Sequence, residues 1–529
     1  MTRPLTALLV AVALVAALGC SADPASDDGA SGVGGAGSDG TGLDGTGPGA
    51  AGPTRPTGVL LVVVDTLRAD RLHCYGYPYA LTPNIDALAD AGTLYERNLP
   101  QGSWTLPSMF SFMSGMYLER DGQTRFAQDQ PVLAELLSEA GVATGAFVAN
   151  PVLDAQRGFD RGFDRFELMK VGAARGAEGL DVADAAAEWI TDAVERGDRW
   201  FAWVHLMDPH TPYDVTTPRG VERTTEGERP DLEQLLPRWA EAQARARTYR
   251  AEHGGDPSTM ADAEQVLGWM KRGSNHYDGE VADADAAVGA LLARLEDLGV
   301  DGSTLVVLAA DHGEMLWEYD IQPGDVERIA ARPREPSLGA YYGGAYEALT
   351  YGHHPWFYPQ HWRTPLILRG PGVATGARIT TPSANLDVHA TVLDALDVAA
   401  VGPTDSRSMW NGARPERDRV YAIGRGTTAA IDRLDRVVIE YAGAQFPTPP
   451  GRPKHLSVFD WSAGDWLDLV GATPDESAAD ALRAELESWR ETVRFETVTT
   501  PIEGGEEVLR ALGYVEEADA AAAAEAAGN

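Results

Sequence analysis

Short, unbroken apolar runs alternate along this chain with longer stretches of helical periodicity. Gly58–Val64 (GVLLVVV) is apolar throughout and mostly β-branched, the pattern of a strand buried on both faces. Residues 83–91 follow with helical spacing, opened by Thr82 as N-cap and stopped by Gly92. Further strand-like runs fall at 143–149, 200–206, 303–310 and 364–368, separated by helical stretches that include 131–140, 181–196 and 281–298. This alternation predicts an α/β fold, a mainly parallel sheet sandwiched by helices. Ligands of such sheets sit beyond the carboxyl ends of the strands, so the residues that end each run are where chemistry is expected.

Two stretches, 216–260 and 317–349, fit the alternation poorly and read as insertions near the site, with no structure assigned. After residue 400 the pattern changes to short strands (419–423, 436–441) and one helix (478–489), a smaller C-terminal α+β subdomain. The chain thus divides into a leader (1–20), a linker (21–57), a main domain (58–400), a C-terminal subdomain (401–515) and an Ala/Glu tail (516–529).

The leader has Arg3 before an apolar stretch, 5–18, that is too short to span a bilayer comfortably and fits an export signal. It ends in Ala17-Leu18-Gly19-Cys20, which resembles a bacterial lipobox, with Ala17 a departure from the usual leucine. The resemblance implies lipidation at Cys20 and a membrane-anchored lipoprotein of the cell envelope, in the periplasm or on the outer membrane. Residues 21–57 are rich in Gly, Ala, Ser and Asp and cannot bury enough surface to offset their ordering entropy, so they read as a flexible tether. The one other cysteine, Cys74, reads as a buried structural thiol, and the lipidated chain has no intramolecular disulfide.

With 43 basic against 79 acidic residues the formal net charge is −36. Nucleic acid is excluded as a partner, because a phosphate backbone demands a basic surface.

The first run ends at Asp65, and the run at 303–310 delivers Asp311-His312-Gly313-Glu314. Two strand ends of one parallel sheet can converge, which would let Asp65, Asp311 and His312 share one divalent ion. Oxygen donors with imidazole suit Zn or Mn better than a purely hard cation, with Ca and Mg left open. A third element, SWTLPS around Thr105, supplies a hydroxyl.

The blocks VVVDTLRADRLHCYGYP, TPNIDALADAG, SWTLPS, MDPHTPY, YDGEVADAD, DHGE, GHH, RTPLILRGPG and LRALGYV stand in this order along nearly the whole mature chain. In that order they resemble sulfatase-like proteins of the alkaline phosphatase superfamily. The resemblance implies an alkaline-phosphatase-like fold, with Thr105 as nucleophile and metal ligand beside Asp65, Asp311 and His312. Family sulfatases read Cys or Ser, any residue, Pro, Ser, Arg at this block. Here it is Thr105-Leu106-Pro107-Ser108-Met109, so no formylglycine is expected. Thr66 likewise replaces a second aspartate.

A formylglycine hydrate expels sulfate by collapsing to the aldehyde, an exit closed to a threonine adduct. Phosphoryl groups tolerate two successive displacements, so the chemistry leans to phosphoesters. The resemblance implies site roles for His210 and His353 in protonating the leaving group, with His354 an alternative that would contact substrate. Asp208, His210 and His353 are the alternative set for a second metal, and Arg68 pairs structurally with Asp70. The expected substrate is a small-molecule, glycan or lipid-headgroup ester. Trp356, Phe357, Tyr358 and Trp362 would either stack such a group or serve packing. Two other readings remain: a sulfuric ester hydrolase with unmodified threonine, and a catalytically weak binding protein on the same fold.

Overall fold

The computed structural model describes residues 54–492 except 80, 118–124, 172–174, 212, 214–228, 235, 253, 255, 260–262, 317–350, 353–358, 414–416, 425–426, 433–435, 442–456 and 461–475. Cys20, the tether up to residue 53, the insertion 317–349, His353, His354, Trp356–Tyr358 and the tail lie outside the described residues.

Eight strands form the central sheet: β1 (Gly58–Val64), β2 (Thr93–Tyr95), β3 (Ala143–Val148), β4 (Arg165–Leu168), β5 (Trp200–Leu206), β6 (Thr304–Ala310), β7 (Leu366–Arg369) and β8 (Ala377–Ile379). Their order is β8-β2-β7-β6-β1-β5-β3-β4. From β6 to β4 all neighbours are parallel, while β7 runs antiparallel to both β6 and β2. Every residue of β1, β5 and β6 is buried. That is why these runs show no polar alternation, and why their limits were readable in the sequence. Gly58 pairs with Trp200, and a Cβ there would come within 2.0 Å of the indole.

Helices α1 (Pro83–Asp90), α4 (Gly179–Arg196) and α6 (Ala263–Asp297) pack together, with α4 against β3 and β5. Helices α2 (Thr105–Ser114), α3 (Leu133–Glu139) and α7 (Asp387–Ala395) form a second group. The 216–260 insertion contains a helix, α5 (Leu236–Glu252), and α6 starts at Ala263, well before the expected 281. Both were hidden because these segments carry many charged residues and little apolar periodicity. Thr82 does not cap α1 with its side chain. Asp285 of α6 does so instead, accepting from the amides of Asn84 (3.0 Å) and Ile85 (2.8 Å).

The C-terminal part is an antiparallel sheet of β9 (Arg419–Gly424), β10 (Thr427–Asp432), β11 (Arg436–Tyr441) and β12 (Ser457–Asp460), with helix α8 (Glu476–Thr492). Tyr421 stacks on Trp489 with centroids 4.4 Å apart. The stretch 401–413 packs with the larger core, where Met409 and Trp410 are buried and the indole donates to Pro371 O at 2.7 Å. The larger core thus continues past residue 400. Among the described residues no helix is long and apolar enough to cross a membrane.

Candidate active site

Adjacent parallel strands deliver the polar residues. Asp65 follows β1 and Asp311 follows β6, its neighbour. Asp311 Oδ1 accepts the backbone N–H of Thr66 (3.2 Å) and of His312 (2.8 Å). His312 Nδ1 lies 2.8 Å from Gly313 O, so it carries the proton and Nε2 faces inward. That Nε2 stands 3.5 Å from both Asp65 Oδ1 and Asp311 Oδ2. All three side chains are fully buried.

Asp65 Oδ1 and Asp311 Oδ2 have no hydrogen-bond partner, although each is buried. Burial, and then the Asp311 charge, pushes the Asp65 carboxyl well above its ordinary range. Two buried carboxylate oxygens facing each other without compensation are costly unless a cation joins them. The ligand atoms of Asp65, Asp311 and His312 lie within 4.8 Å of one another, so the residues fit one divalent cation.

Thr105 opens α2, whose N-cap, Trp104, makes no side-chain cap. Its Oγ1 stands 3.3 Å from His312 Nε2 and 3.3 Å from Asn150 Nδ2. Asn150, at the end of β3, also donates to Asp65 Oδ2 at 2.6 Å. One turn along α2, the Ser108 hydroxyl donates to Asp311 O at 2.5 Å, and Asn385 donates to Ala310 O at 2.8 Å. These bonds lock α2 onto the loop after β6. All ten residues of α2 are buried, Met109 among them.

His210 follows a cis Asp208–Pro209 bond, and its Nδ1 lies 2.5 Å from Thr211 O. Burial lowers its pKa to about 4, opposed by Thr211 O and reinforced by His312, so the resting imidazole is neutral. Asp208 shares a side-chain hydrogen bond with Glu280 of α6, and burial pushes its pKa up to about 6. The third member of the alternative second-metal set, His353, lies outside the described residues. Among the described residues the single cluster of three metal-ligating side chains is Asp65, Asp311 and His312. Arg68 pairs with Asp70 at 2.7 Å.

Cys74 is half-buried rather than buried, and burial with the nearby Asp86 holds the thiol up at about 12. Trp362 is buried, donating to Pro100 O at 3.0 Å, which is a packing role.

Residues 57–398 match the sulfatase family model. The chain belongs to the sulfatase family. Arylsulfatase A of Bos taurus is 26% identical over 288 residues, 49% of this chain and 52% of that protein. The chain spans about half the length of the first curated sulfatases it matches. Among solved structures, a protein in complex with its substrate D-glucosamine-2-N,6-O-disulfate superposes with a TM-score of 0.60 at 16% identity, covering 83% of this chain and 98% of that one. A phosphonate monoester hydrolase from Silicibacter pomeroyi gives a TM-score of 0.55 at 18% identity, covering 84% and 96%. These likenesses establish the alkaline-phosphatase-like sandwich.

Sequence reasoning missed several residues of this sulfatase-family site. Asn150 directly follows the apolar run 143–149, so the strand-end rule applied consistently would have found it. His205 interrupts the run 200–206 and lies fully buried, its Nε2 3.9 Å from Asp311 Oδ2. Asn385 carries no local signal, because its partners are about seventy residues away or more.

Proposed function

We propose that this sulfatase-family chain is a metal-dependent hydrolase or transferase of phosphate or sulfate esters, with Thr105 as nucleophile and phosphoesters favoured. The observation that carries the reading is Thr105 Oγ1 held 3.3 Å from both Asn150 Nδ2 and His312 Nε2, against two unpartnered carboxylate oxygens. Asp65, Asp311 and His312 would hold a Zn or Mn ion, with Ca the alternative, and Thr105 would complete the set. Such an ion, when bound, lowers the pKa of the adjacent hydroxyl and offsets charge on the ester's non-bridging oxygens.

The chain's own groups do the rest. Asn150 orients Oγ1, and the N-terminus of α2 favours negative charge beside it. Thr105 Oγ, its hydroxyl proton released to solvent before attack, forms a bond to phosphorus as the bond to the leaving oxygen breaks. The departing alkoxide takes a proton from an imidazole, His210 or His353. His210 is neutral at rest and becomes a donor once an anionic ester adds charge next to it. Water then attacks phosphorus, its proton returns to that imidazole, and the bond to Oγ breaks. An acceptor alcohol in place of water gives transfer. His354 would contact the substrate.

Sulfate esters are the second reading, favoured by the names of the curated relatives, arylsulfatase A among them. A threonine sulfate adduct lacks the aldehyde exit, which is why phosphorus stands first. The glycan substrate of the first structural neighbour supports a sugar-borne ester as one substrate class.

The test is turnover of aryl sulfate, aryl phosphate and bis-aryl phosphate by purified protein with Zn, Mn or Ca. Phosphorus turnover that vanishes in Thr105→Ala supports the proposal. Turnover that survives this change sinks it.

A further inference from the structure

The turn after Asp65 has a conformation that its own residue disfavours. Thr66 has φ of 57°, in the left-handed region, where a β-branched side chain is an outlier. Its hydroxyl is buried without a partner, so the side chain does not stabilise the turn. The hold comes from α6. The fully buried Tyr277 donates its hydroxyl hydrogen to Thr66 O at 2.7 Å and accepts the Arg68 N–H at 3.0 Å. One phenol oxygen thus bridges both sides of the turn.

The turn aims a single donor. Thr66 N–H points at Asp311 Oδ1, which also takes the His312 N–H. With Oδ1 engaged twice, Asp311 presents Oδ2 toward His312, next to the free oxygen of Asp65. Thr66 N–H lies on the 65–66 peptide and Thr66 O on the 66–67 peptide. Only the left-handed conformation at Thr66 thus lets the N–H meet Asp311 while the carbonyl meets Tyr277. Loss of that conformation would cost the carboxylate one of its two anchors.

We infer that Tyr277 is a positioning residue of the cation site: its hydroxyl holds Thr66 in the left-handed turn, and the Thr66 N–H orients the Asp311 carboxylate. The inference rests on reading Asp65, Asp311 and His312 as cation ligands. Tyr277 acts only through the backbone conformation at Thr66. Outer contacts of this kind are worth about 10–100-fold in metal affinity.

The test compares full-length wild type, Tyr277→Phe, Thr66→Gly, the double variant and Thr66→Val. Zn²⁺ affinity is read by calorimetry, and hydrogen exchange of the residue 66 amide is read in metal-free protein. Tyr277→Phe is expected to weaken Zn²⁺ binding by about tenfold or more and to speed exchange at that amide by a similar factor. Glycine accepts the left-handed conformation unaided, so adding Tyr277→Phe to Thr66→Gly should change affinity by less than about threefold. Thr66→Val keeps the backbone and loses only the unpartnered hydroxyl, so its affinity should match wild type. If Tyr277→Phe alone does not fold, the double variant decides the matter. Thr66→Gly should then restore folding and metal affinity if the phenol acts only through this turn, and failure to restore them overturns the inference.

Equal losses from Tyr277→Phe in both backgrounds, an affinity within about twofold of wild type, or a tenfold loss in Thr66→Val would each overturn the inference. Wild type that binds Zn²⁺ yet turns over no ester would sink the proposed function alone. Wild type that binds no metal, with exchange still accelerated in Tyr277→Phe, would remove the cation reading and keep the clamp.

Discussion

Asn150 and Asp65 are joined by a 2.6 Å hydrogen bond between the ends of β3 and β1, two strands separated by β5. The bond occupies Asp65 Oδ2 and leaves Oδ1 facing His312, while the same carboxamide reaches Thr105. Asp65 and the proposed nucleophile Thr105 thus share one orienting group.

Asn150→Ala should therefore lower metal affinity and turnover together, each by about 10–100-fold, with the fold retained. Calorimetry and kcat/KM on the same preparation would check it. Loss of turnover at unchanged affinity would confine Asn150 to Thr105.

Gly313 admits no side chain. A Cβ there would lie 1.8 Å from Gln360 O, and the Gly313 carbonyl anchors His312 Nδ1. Gly313→Ala should cost about 1–3 kcal/mol of stability and displace His312 from the cation site. Gly302→Ala, where nothing lies within 4 Å, is the control and should stay within about 0.5 kcal/mol. Urea unfolding of both variants reads the difference.

His389 of α7 is buried, neither ring nitrogen has a partner, and burial lowers its pKa to about 4. In the unfolded chain the ring takes up its proton near the ordinary value of about 6.5. Between these values the unfolded state binds more protons, so stability is complete above about 6.5 and falls as pH drops toward 4, by at most about 1.4 kcal/mol per unit. His389→Leu should flatten this limb. Identical acid-limb slopes in both proteins would count against it.

Cys20 stands where the lipobox-like sequence Ala17-Leu18-Gly19-Cys20 would place an acylated cysteine. In a cell that processes lipoproteins, Cys20→Ser should abolish incorporation of labelled palmitate and move the protein from the membrane to the soluble fraction. Unchanged membrane association would rule out the lipid anchor.

What could be read from the sequence followed from burial. β1 and β6 end where their apolar runs end, because both faces of each strand are covered and no polar residue interrupts them before the site. Asp65, Asp311 and His312 were legible because they sit directly after such runs. Tyr277 stood inside a family block, but its contact with Thr66 spans 211 positions, and no local pattern encodes a hydroxyl shared across that distance. The cap that Asp285 gives to α1 was invisible for the same reason, so the nearer Thr82 drew the assignment.

Met109 lies wholly within the apolar layer beneath the site, four residues along α2 from Thr105. An arginine restored there would bring its guanidinium into that layer, at a cost of several kcal/mol without a counter-charge. Met109→Arg would therefore destabilise the helix that carries Thr105. The layer beneath the site thus accepts a neutral side chain at position 109 and excludes a lone cation.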